Sequence, residues 1–374
     1  MTDEAIPLVD LAAQHAEVAG EVDAAFREVF RSTAFINGPA VEAFEAAYAE
    51  FVGVRHCVGV SNGTDALELA LCSCGVDSGD EVLVPANSFV ATAESVARIG
   101  AIPVFADVDS TSLLIDPQEV EERLSPRTRA VAPVHLYGQM APMQALADVL
   151  ARRDDVVVVE DAAQAHGARQ ASRSAGGIGR AGGTSFYPGK NLGAYGDAGA
   201  VLTNDDASAR LVRAMRDHGS ETKYRHEVRG WNCRLDTLQA AVLLAKLRRL
   251  RHWNEARAAA ARRYDSLLGG VDGVTRPETV PGNEHVWHLY VVQVSERDRV
   301  LSALTRQGIG VGVHYPEPIH LQPAFADLGQ GPGSFPVAER AAQHVLSLPM
   351  HPHLTEQHQQ RVVDALVAAV AEAA

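Results

Sequence analysis

The chain has 374 residues, 47% of them hydrophobic and 21% charged, ordinary globular proportions with enough length for a large core and two lobes. Its 33 basic and 47 acidic side chains leave a formal charge of −14, which excludes a general attraction to nucleic acid or to an anionic membrane surface. The opening MTDEAIPLVD has no apolar core of signal-peptide length, no run approaches a membrane span, and Cys57, Cys72, Cys74 and Cys233 lack zinc-ligand spacing, so a soluble, cytoplasmic protein with reduced thiols and no metal site is expected.

From about Val54 to Asn204 short apolar runs alternate with helical patterns. HCVGV reads as a strand, and SNGTDALELALCSCG as a helix opened by Ser61 or Asn62 and closed near Gly75. DEVLVPA is the next strand, ATAESVARIG a helix, and AIPVFADVD and RAVAPVHLYG are further strands. In PMQALADVLARR, Met143, Leu146, Ala147 and Leu150 recur at helical spacing behind Pro142. VVVVED is a continuous apolar strand suited to burial on both faces. Strands alternating with helices predict a mostly parallel α/β sheet. After Asn204 a long helix rich in Ala, Leu and Arg begins at LDTLQAAV, followed by strand-like HLYVVQV, a helix near RVLSALTRQG, strand-like IGVGVHY and a terminal helix. A large α/β domain over residues 11–245 and a smaller α+β domain over 246–374 are expected, with the packing of residues 1–10 left open.

Ligands in parallel sheets bind beyond the carboxyl ends of the strands. After HCVGV, Gly63 and Thr64 fall at a helix N-terminus, where free N–H groups and the helix dipole favour a phosphate; an ordinary N-cap has the same sequence. After VVVVE, Asp161 meets the edge of the apolar interior and needs a cationic or donor partner, with Gln164 close enough to share its site. After GGTSFY comes Lys190, in a turn crowded with glycine. A lysine, a buried carboxylate and a phosphate site in this order fit pyridoxal phosphate, whose aldehyde condenses with the amine while the carboxylate pairs with the ring nitrogen.

Together SNGTDAL, PANSFVATAESV, PVHLYGQ, EDAAQAHGA, SFYPGKNLGAYGDAGA, WNCRLDTLQAAVL and HYPEPIHLQPAF resemble the DegT/DnrJ/EryC1/StrS family of sugar aminotransferases. The resemblance runs in order from about Val9 to the C-terminus. It implies the fold type I, aspartate aminotransferase-like architecture. It also implies Lys190 as the Schiff-base lysine, Asp161 at the pyridine nitrogen and Gln164 near the ring oxygen. Phe89 would stack on the ring, Gly63, Thr64 and Ser185 would contact the phosphate, and Asn232 would reach the phosphate from the other subunit of a homodimer with shared sites. His135 and His166 either touch the site or satisfy the core.

The family takes an amino group from a donor, L-glutamate, to a nucleotide-linked keto sugar. This chain is most similar to the branch acting at C3 of dTDP-3-keto-6-deoxyhexoses, in which Tyr187, Lys223, His314 and Tyr315 match substrate residues; Lys223 suits a pyrophosphate as a point charge. A 4-aminotransferase on a dTDP- or UDP-linked 4-keto sugar is the alternative, and a cofactor-binding regulator without turnover a third reading. The role of Arg229 stays open between the donor carboxylate and solvent. Relatives that deoxygenate sugars carry histidine where this chain has Lys190. The pathway implied is deoxyaminosugar synthesis, for an antibiotic-type secondary metabolite or a surface glycan.

Overall fold

The computed structural model describes residues 5–373; the reading of the first ten residues therefore falls partly outside it. Two helices, α1 (Leu11–Ser32) and α2 (Pro39–Val52), precede the alternating region. Asp10 caps α1 by accepting from the Ala13 N–H at 2.9 Å, and Pro39 opens α2, where its missing N–H costs nothing.

The alternation then appears as β1 (His56–Val60), α3 (Gly63–Ser73), β2 (Glu81–Pro85), α4 (Ala91–Arg98), β3 (Ile102–Ala106), α5 (Pro117–Arg123), β4 (Thr128–Val131), α6 (Met143–Val149), β5 (Val157–Asp161), β6 (Ala181–Ser185) and β7 (Gly199–Thr203). The strands form one sheet in the order β1-β7-β6-β5-β4-β2-β3. The pairs from β3 across to β6 are parallel, and β7 alone runs antiparallel to its neighbours β6 and β1. The carboxyl ends of the other six strands thus share one edge. Val84, Val131, Val159 and Val201 are fully buried, as expected of β-branched side chains in a sheet covered on both faces.

Two strand expectations are corrected. RAVAPVHLYG is a strand only over Thr128–Val131; Pro133 has no N–H for the ladder, and Leu136–Gly138 turns as a short 3-10 helix. IGVGVHY makes only single bridges, Ile309 to Ile6 and Gly312 to Ser347. Gly310 lies so close to the crossing backbone that a Cβ there would sit 2.6 Å from the Leu8 nitrogen, so this stretch crosses its neighbours instead of running alongside them.

Helices α7 (Asp206–Arg216) and α8 (Thr237–Leu267) follow. The expected boundary near Lys246 lies inside α8, a 31-residue helix. Beyond it β10 (Val274–Thr275), β11 (Tyr290–Val294) and β12 (Val345–Leu348), numbered after a small hairpin of β8 (Ser220–Thr222) and β9 (Arg225–His226), form a three-stranded antiparallel sheet. With α9 (Arg297–Arg306) and α11 (Glu356–Ala373) it gathers a separate apolar cluster around Tyr264, Tyr290, Leu304, Leu346 and Leu366, while α10 (Pro336–His344) packs Ala338 and Ala341 into the cluster of the large sheet. Among the described residues no helix is long and apolar enough to cross a membrane, and no group of three or more metal-ligating side chains is found.

Candidate active site

The shared edge of strand ends collects the polar residues that matter. Asp161 closes β5 and is buried. Its Oδ2 accepts from the Thr92 hydroxyl at 2.7 Å and its Oδ1 from the Ala163 N–H at 3.1 Å. Ser88 donates in turn to Thr92 at 3.0 Å. Burial pushes the Asp161 carboxyl up, against the pull of the Thr92 and Ala163 bonds and the Lys190 charge. The group is thus arranged as an acceptor that lacks a cation of its own.

Lys190 follows β6 in a turn closed by its own N–H on the Tyr187 carbonyl at 2.8 Å. Burial lowers the ammonium to about 8, opposed by Asp161. At pH 7 that leaves roughly a tenth of the side chain as free amine, against well under a thousandth for an ordinary lysine. Three imidazoles near it are kept neutral mainly by burial: His166 falls to about 3, His314 to about 4, and His288 well below its usual value, with the Lys190 charge acting in the same direction on each.

The phosphate-type feature lies beside this turn. Asn62 caps α3, its Oδ1 accepting from the Asp65 N–H at 2.8 Å. Gly63 and Thr64 then open α3 with N–H groups that take no acceptor among the described residues, as the first turn of a helix must. Ser185 ends β6 against them: a Cβ at Gly63 would sit 2.5 Å from the Ser185 Cβ. Only glycine lets the strand end and the helix start approach this closely.

Gln164 is held at both ends. Its Oε1 accepts from the Tyr137 N–H at 2.7 Å and its Nε2 donates to the Tyr315 hydroxyl at 3.1 Å. The Tyr315 ring lies 5.5 Å from that of Phe89, and Phe89 stays 53% exposed, unusual for a phenylalanine between two buried neighbours, Ser88 and Thr92. His314 and Tyr315 come from beyond α8, with His314 Nδ1 2.7 Å from the Ser347 hydroxyl and its carbonyl accepting from the Tyr137 hydroxyl. Residues from several strand ends and from the segment beyond α8 therefore gather on this edge, with Asp161, His166, His288 and His314 near enough to Lys190 to feel its charge.

The structure places both undecided histidines at strand ends. His135 and Glu160 are fully buried 2.7 Å apart. His135 Nδ1 accepts from the Ala141 N–H, so Nε2 carries the proton toward Glu160. Burial would raise the Glu160 carboxyl, but His135 and the N–H groups of Gly176 and Gly179 hold it below the usual range, and Ile178 adds another donor. His166 Nε2 faces the Ser185 carbonyl at 2.9 Å and the Thr184 hydroxyl at 3.1 Å. His135 thus braces the end of β5, while His166 ties to the end of β6 through Nε2 and also lies near Lys190.

Two expected residues, Lys223 and Asn232, stand apart within this chain, while Tyr187 belongs to the Lys190 turn. Tyr187 is 59% exposed. Lys223 lies in the exposed hairpin, its Nζ 5.0 Å from the centre of the 85% exposed Tyr224 ring. Asn232 is exposed and pairs through its backbone with Asp217. Arg229 is exposed. Conversely, Thr92 and Tyr137 do not stand out in the sequence. Thr92 had one available signal, a hydroxyl in the first turn of the helix that follows β2 on the ligand edge.

The DegT/DnrJ/EryC1/StrS aminotransferase family matches residues 17–367. The chain belongs to this family. It is 46% identical over 361 residues to the dTDP-3-amino-3,4,6-trideoxy-alpha-D-glucose transaminase of Streptomyces venezuelae, covering 96% of this chain and 95% of that one. It is 48% identical over 363 residues to the erythromycin biosynthesis sensory transduction protein EryC1 of Saccharopolyspora erythraea, covering 97% and 99%. The crystal structure of S. venezuelae DesV in complex with a ketimine intermediate superposes with a TM-score of 0.95 at 45% identity, over 97% of this chain and 98% of that one. The chain is a pyridoxal phosphate-dependent aminotransferase of fold type I. Its residues suit that cofactor: unclaimed helix N–H groups for a phosphate, a buried carboxylate short of a cation for a protonated ring nitrogen, an exposed aromatic face, and an amine of lowered pKa.

Proposed function

We propose that this aminotransferase moves an amino group from L-glutamate to C3 of a dTDP-linked 3-keto-6-deoxyhexose, releasing 2-oxoglutarate and a 3-amino sugar nucleotide. The observation that carries the proposal is the meeting of Lys190 and Asp161 on one edge of the sheet, beside the unclaimed N-terminus of α3, in a chain that matches a named dTDP-3-amino sugar transaminase almost end to end.

In this reading Gly63, Thr64 and Ser185 hold the cofactor phosphate, Asp161 the ring nitrogen and Gln164 the ring oxygen, with Phe89 over the ring face. Bound pyridoxal phosphate supplies the electron sink for the carbanion formed at the reacting carbon. Thr92 and Ala163 keep both Asp161 oxygens oriented, so that its charge stays with the ring nitrogen. Lys190 Nζ, already partly deprotonated near neutrality, would take the proton from the donor carbon in the first half-reaction and, in the separate second one, deliver a proton to the sugar carbon. The neutral imidazoles of His166 and His288 add no competing charge beside it. Tyr187, His314, Tyr315 and Lys223 hold the sugar nucleotide, with Lys223 on its pyrophosphate.

The site is read as shared between two copies of the chain, Asn232 reaching the phosphate from one protomer into its partner. The exposure of Asn232 and of the neighbouring hairpin supports this, since neither contacts the Lys190 cluster of its own chain.

The deciding experiment gives the purified protein glutamate with dTDP-3-keto and dTDP-4-keto hexoses in parallel and locates the new nitrogen by NMR. Nitrogen at C3 is expected. Nitrogen at C4 replaces this substrate with the alternative one, and a protein that takes up the cofactor yet turns over neither sugar supports a cofactor-binding regulator.

A further inference from the structure

A second lysine, Lys246, lies beneath the Lys190 turn. It is only 2% exposed, and no carboxylate among the described residues faces it. Its Nζ donates to Gln14 Oε1 at 2.9 Å and to the Gly193 carbonyl at 2.7 Å, and it lies 4.4 Å from the centre of the Tyr195 ring. The three N–H donors of an ammonium are thus matched by two oxygens and a π face. Burial alone lowers it to about 8. A buried ammonium without an anion is unfavourable; a methionine would fill the same volume with no such cost, so packing does not account for the charge.

What Lys246 grips connects it to the site. Gly193 lies three residues past Lys190 and is pressed onto the turn that carries it: a Cβ at Gly193 would sit 2.2 Å from the Pro188 carbonyl oxygen. The Ala194 N–H donates to the Phe186 carbonyl at 2.8 Å and the Tyr195 N–H to Gln239 Oε1 at 2.9 Å, which closes residues 186–195 into a compact loop. The Gly193 carbonyl faces inward, and Lys246 is its acceptor's only side-chain partner among the described residues. Gln14 ties the same ammonium to α1, and His15, next to it, meets the Tyr195 hydroxyl at 2.6 Å. The loop is therefore held on α8 by Lys246 together with Gln239 and Asn254, and on α1 by Gln14 and His15, with Lys246 the one charged group among these ties.

We propose that Lys246 is a positioning residue for the transamination, holding the Lys190 turn at the height from which its amine reaches the cofactor aldehyde. This rests on Lys190 being the amine that forms the covalent link. Misplacement of a reacting group by a fraction of an ångström to an ångström slows chemistry tenfold or more without weakening substrate binding.

The test uses the full-length apoprotein, mixed with pyridoxal phosphate and trapped with borohydride at timed intervals, the labelled residue being mapped by mass spectrometry. In the parent the label is expected on Lys190; a label elsewhere removes the functional reading and this inference together. With Lys190 labelled, Lys246→Met is expected to slow trapping about tenfold and to lower kcat by a similar factor, with KM for the sugar nucleotide within about twofold. A parent-like trapping rate, even with a lower Tm, overturns the role of Lys246 and leaves Lys190 standing. Gln14→Ala keeps the Lys246–Gly193 bond but removes the tie from that ammonium to α1, and is expected to give an intermediate rate. It replaces Lys246→Met if that variant does not fold, and a parent-like rate there overturns the inference equally.

Discussion

The hydroxyl of Thr92 donates to Asp161 Oδ2 at 2.7 Å across 69 residues of sequence. The bond joins the first turn of α4 to the end of β5 and fixes which way the Asp161 carboxylate faces. A hydrogen bond to a charged group contributes about 1.5–3 kcal/mol. Thr92→Val is therefore expected to weaken cofactor retention and lower kcat/KM about ten- to hundredfold, while Thr92→Ser, which keeps the donor, stays near the parent. Cofactor titration of both apoproteins, followed by steady-state kinetics, checks this.

Lys190→Ala is expected to bind pyridoxal phosphate without a covalent link and to lose transamination by about a thousandfold or more, since nucleophile and proton carrier disappear together. The absorption spectrum and borohydride trapping report the link, and product formation reports the reaction. Turnover within tenfold of the parent contradicts the role of Lys190.

Burial lowers the Lys190 ammonium to about 8 and the Asp161 charge opposes that shift. The free amine is the reactive form, so the rate of covalent cofactor uptake by the apoprotein should rise with pH and level off above about 8, well below an ordinary lysine. Asp161→Asn removes the anion that favours the ammonium, and the midpoint should move to lower pH. The same displacement has a stability consequence. Between about 8 and the ordinary lysine value the unfolded chain holds a proton at this site that the folded chain does not, so this group's contribution to stability rises with pH through that window. Uptake rates across pH 6–10 test the first point, and denaturant unfolding of apoprotein against Lys190→Met tests the second.

Glu160 is a structural anion, with His135 and the N–H groups of Gly176, Ile178 and Gly179 as its donors. Glu160→Leu leaves those donors buried and unmatched and should cost about 3–5 kcal/mol, read as a lower denaturant midpoint.

Shared sites have an arithmetic signature. Lys190→Ala and Asn232→Ala homodimers are both expected to be impaired. Refolded together in equal amounts, half of the dimers are mixed, and each mixed dimer has one complete site of two. About a quarter of parental activity should return. No recovery on mixing contradicts sharing through Asn232.

The sequence made five of the seven strands legible because each holds a short apolar run, whereas the glycine-rich Ala181–Ser185 has none and α5, which buries only Val120, shows no apolar face. Lys190, Asp161, Gln164 and Gly63 were legible because parallel strands present their next residues to one edge. Tyr137 was not, because its role comes from a backbone N–H donating to Gln164, 27 residues away, and from a hydroxyl donating to the His314 carbonyl. Lys246 was hidden for a similar reason. In a helix rich in Leu and Arg it looks like one more surface cation, and only its packing under α1 and the Gly193 carbonyl sets it apart. IGVGVHY misled because its glycines, which let it cross Leu8 and Ser347 closely, left an alternation that imitates a strand.

Lys246 and Arg257 stand three turns apart on α8, on nearly the same side of it. One grips the Gly193 carbonyl at 2.7 Å, the other the Met350 carbonyl at 2.7 Å. A single stiff spar thereby sets the spacing, roughly 16 Å along its axis, between the reactive turn and the lobe that supplies His314 and Tyr315. Any change in the distance between that turn and the Met350 carbonyl has to tilt or flex this spar, because α8 runs unbroken between its two grips.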